Sequence, residues 1–369
     1  MTTVSILGSG IMATALTWPL AANGHEIRLV GTHLDREIID SIKSTGVHPN
    51  LDLKVPDAVT AYQLEDAAEA FEGAELVMSG VNSFGVEWAG QQLAGLLRPG
   101  QKVLAIAKGM VAADNGDLSI LPDVLAAQVP EDLRNAVTWS AIAGPSIAGE
   151  LAVERHTCVV FTSRTGEVLD ELAAMFRTPY YHIWTSTDFV GVEVCAAMKN
   201  CYALGVGFAE GVLNALGGRE GRYRNYNFAA ALFAQGAREM FDMMGVLGGD
   251  PATPSWLPGV GDQWVTAAGG RNVKVGGLIG EGMRFSEAKA SMPGVTLEGA
   301  AAIDVIGRAL GPLTDRGVIG KEQFPLLRHL YEVIGLDQQL DLPWSSFFGG
   351  AGGGPATSFA DEIRRETGD

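Results

Sequence analysis

Val4-Ser5-Ile6-Leu7-Gly8-Ser9-Gly10-Ile11-Met12-Ala13 decides the fold of this chain. Val4–Leu7 is a short apolar run and reads as a strand, and Ile11 to Ala22 reads as a helix. Between them, Gly8 permits the tight turn. Gly10 lets the backbone approach a pyrophosphate at the helix N-terminus, where unpaired N–H groups and the helix dipole favour negative charge. Ala13 fills the third position, which the dinucleotide fingerprint allows. A glycine-rich turn without a ligand is the simpler alternative; the strand before and the helix after favour a dinucleotide site.

Outward from this turn, Glu26–Val30 is the second strand, and strand-like runs recur at 74–79, 102–107, 138–143 and 158–162. Helical stretches such as 64–71 and 168–176 separate them, and 180–184 looks like the last strand. Alternation of this kind implies a parallel, doubly wound sheet. From Thr187 the character changes. Residues 189–213 form one long helical run without proline, 227–247 is another with methionines and aromatics on an apolar stripe, and 298–310 and 321–334 follow. The expected fold class is α/β: an N-terminal Rossmann domain with a mostly parallel sheet over residues 1–187, then an all-helical domain for substrate binding and catalysis over 188–343. Residues 344–369, with Gly349–Gly354, read as a flexible tail, and Gly217–Tyr226 as a polar loop.

The chain has 369 residues, enough for two cores, and a net charge of −17. That surface repels nucleic acid and anionic membranes, so an anionic substrate needs a local basic site. Three cysteines, Cys158, Cys195 and Cys201, lack metal-ligand spacing and read as reduced core thiols. No metal site is expected. The start shows no signal-peptide pattern, no apolar stretch is seen to reach the roughly 20 residues of a membrane helix, and a cytoplasmic location is the expectation. The apolar content of the helical half permits a homodimer.

Three further features carry chemistry. Lys199 lies in Cys195-Ala196-Ala197-Met198-Lys199-Asn200-Cys201-Tyr202, where a lysine must either snorkel outward or sit in a lined site. In such a site, desolvation suits it to exchange a proton with a substrate hydroxyl. Arg271-Asn272 follow two glycines and open a helical segment, so they are either a phosphate receptor or a surface helix cap. Asp262 in Gly259-Val260-Gly261-Asp262 is a candidate site residue or an ordinary N-cap. At the end of the second strand, Val30-Gly31-Thr32-His33 lacks the carboxylate common in NAD sites. Asp35 comes later and Arg36 is near enough to neutralise a 2′-phosphate, so the cofactor is NAD or NADP with a lean to NADP or dual use.

In their order along the chain, these motifs resemble the NAD(P)-dependent sn-glycerol-3-phosphate dehydrogenase family, from the N-terminus to about residue 335. Ala107-Lys108-Gly109 is similar to its Thr-Lys-Gly segment. Ala143-Gly144-Pro145-Ser146-Ile147-Ala148-Gly149-Glu150 is similar to the segment beside the nicotinamide. Gly191-Val192-Glu193 through Lys199-Asn200 resembles the helix with the catalytic lysine. Pro258–Asp262, Thr266 and Gly270-Arg271-Asn272 correspond to the substrate signature, and Leu297-Glu298-Gly299 to a late cofactor contact. The resemblance implies Lys199, Lys108 and Asp262 as catalytic residues. It implies Lys108, Gly144, Ser146, Lys199, Asn200, Asp262, Thr266, Gly270, Arg271 and Asn272 around a small phosphorylated substrate. Gly8, Ser9, Gly10, Ile11, Met12, Thr32, Lys108, Ala148, Arg271 and Glu298 would contact the cofactor.

Two departures stand out. Asn227-Phe228-Ala229-Ala230 has Ala229 where the family carries a basic residue, and the stretch from Gly211 to Tyr226 is long and holds Arg219, Arg222 and Arg224. One of these arginines replaces the lost charge, or the stretch reshapes the pocket for a longer polyol phosphate. The rival readings are a β-hydroxyacid or 6-phosphogluconate-type dehydrogenase and a cofactor-binding protein without catalysis.

Overall fold

The computed structural model describes residues 1–217 and 225–348. The chain divides into two compact units: Met1–Gly109 with Ser119–Glu193, and Met110–Leu118 with the chain from Val194 onward.

The first unit holds an eight-stranded sheet. Its strands are β1 (Thr3–Leu7), β2 (Glu26–Val30), β3 (Val59–Tyr62), β4 (Leu76–Ser79), β5 (Lys102–Ala105), β6 (Thr138–Ala143), β7 (Thr157–Ser163) and β8 (Tyr181–Ser186), in the order β3-β2-β1-β4-β5-β6-β7-β8. Every pairing is parallel except β6 with β7, where Ser140 faces Ser163. Strand β4 is buried along its whole length, as a central parallel strand covered on both faces must be. The core around it is built from Val4, Ile6, Leu20, Ile27, Leu29, Leu76, Phe161, Phe176 and Tyr181. Each such side chain contributes about 1.5–3 kcal/mol when fully buried. The strand order reverses between β1 and β4, the switch point at which such sheets bind ligands.

Its helices include α1 (Ile11–Ala15), α2 (Thr17–Ala22), α3 (Arg36–Thr45), α4 (Val86–Leu96), α5 (Leu121–Ala127), α6 (Ala148–Ala152) and α7 (Gly166–Phe176). The single helix expected over 11–22 is broken at Leu16. Pro19 has no N–H for the carbonyl of Ala15, and its ring crowds that turn.

The second unit contains most of α8 (Phe189–Ala215), then α9 (Tyr226–Leu247), α10 (Asp262–Ala267), α11 (Arg271–Gly280), α12 (Glu298–Asp315), α13 (Pro325–Ile334) and α14 (Trp344–Phe348). Three expectations need correction. Helix α8 is long and apolar enough to cross a membrane by length and composition, and 89% of its most apolar window is buried inside the protein. It is apolar because it is the unit's central helix. The segment from 344 does not begin as loose chain: Trp344 meets Phe228 edge-on at 4.8 Å, and Phe347 is buried beside His329. The stretch from 211 to 226 is also shorter as a loop than expected, since α8 runs to Ala215 and α9 starts at Tyr226. Arg219, Arg222, Arg224 and residues 349–369 lie outside the described residues.

Helices α8 and α11 pack backbone to backbone. A Cβ on Gly211 would overlap the Gly277 carbonyl oxygen and sit 2.7 Å from Gly280 Cα, and one on Gly280 would sit 2.9 Å from Gly211 Cα. Gly207 and Gly276 make the same close approach one turn earlier. A buried carboxylate ties the remaining helices. Glu239 of α9 accepts from Gln235 Nε2 at 2.9 Å, Tyr202 Oη at 3.1 Å, and the Leu326 and Leu327 N–H groups of α13 at 2.7 and 2.9 Å. It caps α13 from another helix, because Phe324 at the N-cap has no side-chain acceptor. Burial pushes its pKa up to about 7, while the four donors pull the other way.

Candidate active site

In the first unit, the turn after β1 is over-determined. Gly8 has φ +107°, and a Cβ there would meet the Gly80 backbone at 2.9 Å. Gly80 follows β4, so the two glycines let the chain segments meet at the switch point. The buried His48 holds the turn from behind. Its Nδ1 accepts from Asn50 N and Leu51 N, each at 3.2 Å, so its Nε2 carries the hydrogen and donates to Ser9 O at 2.9 Å. The N-cap of α1 is Gly10, which has no side chain to occupy the first N–H groups. This bare glycine turn, with Ile11 partly exposed at its edge, fits a dinucleotide pyrophosphate.

The tip of β2 carries a contact that sequence spacing concealed. Asp35 folds back, and its Oδ2 accepts from Ser9 N at 3.2 Å, Thr32 N at 2.9 Å and Thr32 Oγ1 at 2.8 Å. A carboxylate therefore does reach this point. Arg36 is ion-paired with Glu65 on the surface, so its charge is partly engaged.

Met12, Ser146, Lys108, Gly144 and Ala148 gather in the same unit. Ser146 Oγ lies 3.9 Å from Met12 Sδ, α6 packs on α1, and Lys108 Nζ donates to Gly144 O at 3.1 Å.

The second unit gathers the other candidates. Lys199 Nζ donates to Asp262 Oδ1 and to Thr266 Oγ1, both at 2.8 Å, with the side chains of Lys199 and Asp262 only 8% and 2% exposed. Lys199 thus does not snorkel, and Asp262 is not an ordinary N-cap. A π-helical turn, Leu257–Gly261, precedes Asp262, and it is closed by Gly261 N donating to Trp256 O at 3.1 Å. The wide turn rotates Asp262 inward at the start of α10. Removing either member of such a buried pair leaves an uncompensated charge, at about 3–5 kcal/mol.

Beside this pair, Asn272 Nδ2 donates to Asn200 Oδ1 at 3.4 Å, and Gly299 N donates to Asn272 Oδ1 at 3.1 Å. Gly299 has no side chain for a reason: a Cβ there would meet Asn200 O at 2.6 Å. Gly270 is the N-cap of α11, and the exposed Arg271 is its first residue. Glu298 is the first residue of α12 and half-buried. Ala229 is half-buried in the first turn of α9. Among the described residues no group of three or more His, Cys, Asp or Glu side chains is placed to hold a metal ion.

Sequence reasoning passed over Glu193. It is wholly buried in the first turns of α8, and neither of its carboxyl oxygens has a hydrogen-bond partner. The available signal was a lone acid in the apolar run from Phe189 to Met198.

Comparison with known proteins gives these clusters a context. Residues 3–169 match the description "NAD-dependent glycerol-3-phosphate dehydrogenase N-terminus", and residues 188–342 match the corresponding C-terminus. The NADP(+)-dependent glycerol-3-phosphate dehydrogenase of Archaeoglobus fulgidus is 34% identical over 285 residues, covering 77% of this chain and 82% of its own. The glycerol-3-phosphate dehydrogenase [NAD(P)+] of Streptococcus gordonii is 31% identical over 300 residues, 80% of this chain and 83% of its own. The crystal structure of glycerol-3-phosphate dehydrogenase from Coxiella burnetii superposes with a TM-score of 0.74 at 26% identity, covering 94% of this chain and 97% of that one. With both halves matched in order and relatives above 30% identity, the chain belongs to the NAD-dependent glycerol-3-phosphate dehydrogenase family.

Proposed function

We propose that this chain is an NAD(P)-dependent oxidoreductase that interconverts a phosphorylated secondary alcohol and its ketone: sn-glycerol 3-phosphate and dihydroxyacetone phosphate, or a longer polyol phosphate pair. The observation that carries this reading is the buried Lys199 ammonium held by Asp262 and Thr266, with Asn200 and Asn272 linked beside it. A lysine fixed by two acceptors in a lined site suits proton transfer to a substrate oxygen. In the reduction direction Lys199 Nζ polarises the carbonyl and gives its proton to the oxygen; in oxidation it accepts the hydroxyl proton. A bound nicotinamide cofactor supplies or takes the hydride. Asp262 and Thr266 aim Lys199 Nζ and keep its charge compensated, and Lys108 adds positive charge for the substrate. Arg271, with Asn272 and the N–H groups that open α11, receives the phosphate.

Residues 1–187 hold most of the cofactor site in this reading and lend Lys108 to the substrate, and 188–343 hold most of the substrate site and lend Glu298 to the cofactor. The Gly8–Gly10 turn takes the pyrophosphate, with Ser9, Ile11, Met12, Thr32, Ala148 and Glu298 around the cofactor. NAD or NADP fits, and Asp35 and Arg36 stand at the point that discriminates between them. Cytoplasmic location and homodimer formation belong to the same proposal.

The test follows NADH and NADPH oxidation with dihydroxyacetone phosphate against four- and five-carbon ketose phosphates. Turnover of at least one of them is expected, and none with any would reject the reading. Arg271→Ala should raise KM for the phosphorylated substrate by roughly 10- to 100-fold and change kcat less, since it removes a charge-assisted anchor. Unchanged KM would remove Arg271 from the phosphate site.

A further inference from the structure

His48 is wholly buried, and its ring gives its one N–H to the carbonyl of Ser9 at 2.9 Å. A neutral imidazole has a single donor, and the other ring nitrogen is occupied by Asn50 N and Leu51 N, each at 3.2 Å. The segment that carries the ring is itself tied down. Gly46, at φ +75°, ends α3 and turns the chain back. Val47 and His48 then pair antiparallel with Lys54 and Leu53, and His48 O accepts from Leu51 N at 3.2 Å and Asp52 N at 2.9 Å.

Ser9 is gripped on both sides of its Cα. Its N–H, in the peptide plane before, donates to Asp35 Oδ2 at 3.2 Å. Its carbonyl, in the plane after, accepts from His48 Nε2, with Thr14 Oγ1 as a second and longer donor at 3.3 Å. The Ser9–Gly10 peptide is trans, and in a planar trans peptide the C=O and N–H point in opposite directions. By holding Ser9 O, His48 therefore turns Gly10 N–H away from its own buried ring. On that side Gly10 and Ile11 are partly exposed, and Gly10 N–H donates to nothing among the described residues.

We propose that His48 is a positioning residue for the cofactor: it holds Ser9 O from behind and so aims Gly10 N–H at the pyrophosphate of the dinucleotide. Asp35 steadies the preceding peptide plane. This rests on the reading of Gly8–Gly10 as the pyrophosphate turn. A donor fixed in advance does not have to be ordered when the ligand binds. His48 thus contributes to cofactor affinity and leaves the chemical step alone, without touching the cofactor.

The experiment titrates NADH and NADPH by fluorescence into the wild type, His48→Asn and His48→Gln, and measures kcat with cofactor saturating. Asparagine keeps an acceptor at the level of Nδ1 but is too short to reach Ser9 O. Glutamine can place its amide N–H where the imidazole Nε2 stands. His48→Asn should raise Kd for the more tightly bound dinucleotide by roughly 3- to 10-fold, the worth of one neutral hydrogen bond. Its kcat at saturating cofactor should stay within about twofold of the wild type, and His48→Gln should regain most of the affinity. A general loosening of the structure would neither spare kcat nor be repaired by glutamine. A folded His48→Asn that binds as the wild type does overturns the proposal. So does a fall in kcat at saturating cofactor with Kd unchanged, or a glutamine variant no better than asparagine. If neither variant folds, the wild type decides. On adding NADH, the Gly10 amide proton resonance should move to low field, as hydrogen bonding to an anion requires, while that of Ser9, already bonded to Asp35, stays in place. Movement at Ser9 instead of Gly10 overturns the proposal. Binding of a dinucleotide without turnover on any phosphorylated ketone would reject only the enzymatic reading, whereas a wild type that binds neither dinucleotide rejects the cofactor reading and the role of His48 with it.

Discussion

Replacing Lys199 by alanine lowers kcat by on the order of 10²–10⁴, the range lost with a general acid–base group, while cofactor binding is retained. The measurement is steady-state turnover together with titration of NADH or NADPH binding by fluorescence. Lys199 is also one half of a buried ion pair, so the single variant confounds two effects. It leaves Asp262 charged and unpaired, which costs about 3–5 kcal/mol of stability. A double variant separates them. Lys199→Met with Asp262→Asn removes both charges, so it should regain most of the lost stability and remain inactive. Recovery of turnover in the double variant, or turnover near the wild type in Lys199→Ala, would end the assignment of Lys199 as the proton donor.

The second large effect is mechanical. Gly211→Ala should cost about 3 kcal/mol, at the upper end for overpacking, because the new methyl group meets backbone and no rotamer can move it aside. For a chain of this size that lowers Tm by roughly 4 °C. Helices α8 and α11 carry Asn200 and Asn272, whose mutual hydrogen bond is already long at 3.4 Å, so forcing the helices apart should also reduce kcat. Gly245→Ala is the control. Gly245 is exposed on α9 and a Cβ there meets nothing within 4 Å, so the change should stabilise the protein by up to about 1 kcal/mol through helix propensity. Equal effects at the two sites in thermal unfolding would refute the close packing of α8 on α11.

Much of the fold is legible in the residues because it follows from local pattern. Strands β2 and β6 fall where their apolar runs do, and the glycine turn after β1 lies between a strand and a helix. Strand β3 was missed because it is a four-residue edge strand, half-buried and without an apolar run. The break at Leu16 was missed because the apolar period continues through Pro19. At the site, residue types were visible in the sequence but partnerships were not. Lys199 and Asp262 are 63 positions apart, and Glu239 and the Leu326 N–H it caps are 87 apart. Asp35 is only 26 positions from Ser9, yet nothing in its spacing says that it folds back across the tip of β2. The glycines of α8 and α11 mislead in another way. In a sequence they look like helix weaknesses, whereas in the packed unit they set how close two helices can come.

The hydrogen on His48 Nε2 is sealed between a buried ring and the Ser9 carbonyl. It can reach water only when the segment around residue 48 lets go of the turn after β1. Its exchange with solvent therefore acts as a clock for that turn. In a proton magnetic resonance spectrum it should give a separate, slowly exchanging imidazole line whose lifetime counts openings of the Gly8–Gly10 turn. A dinucleotide seated on Gly8–Gly10 lengthens that lifetime, while inorganic phosphate confined to the second unit leaves it unchanged.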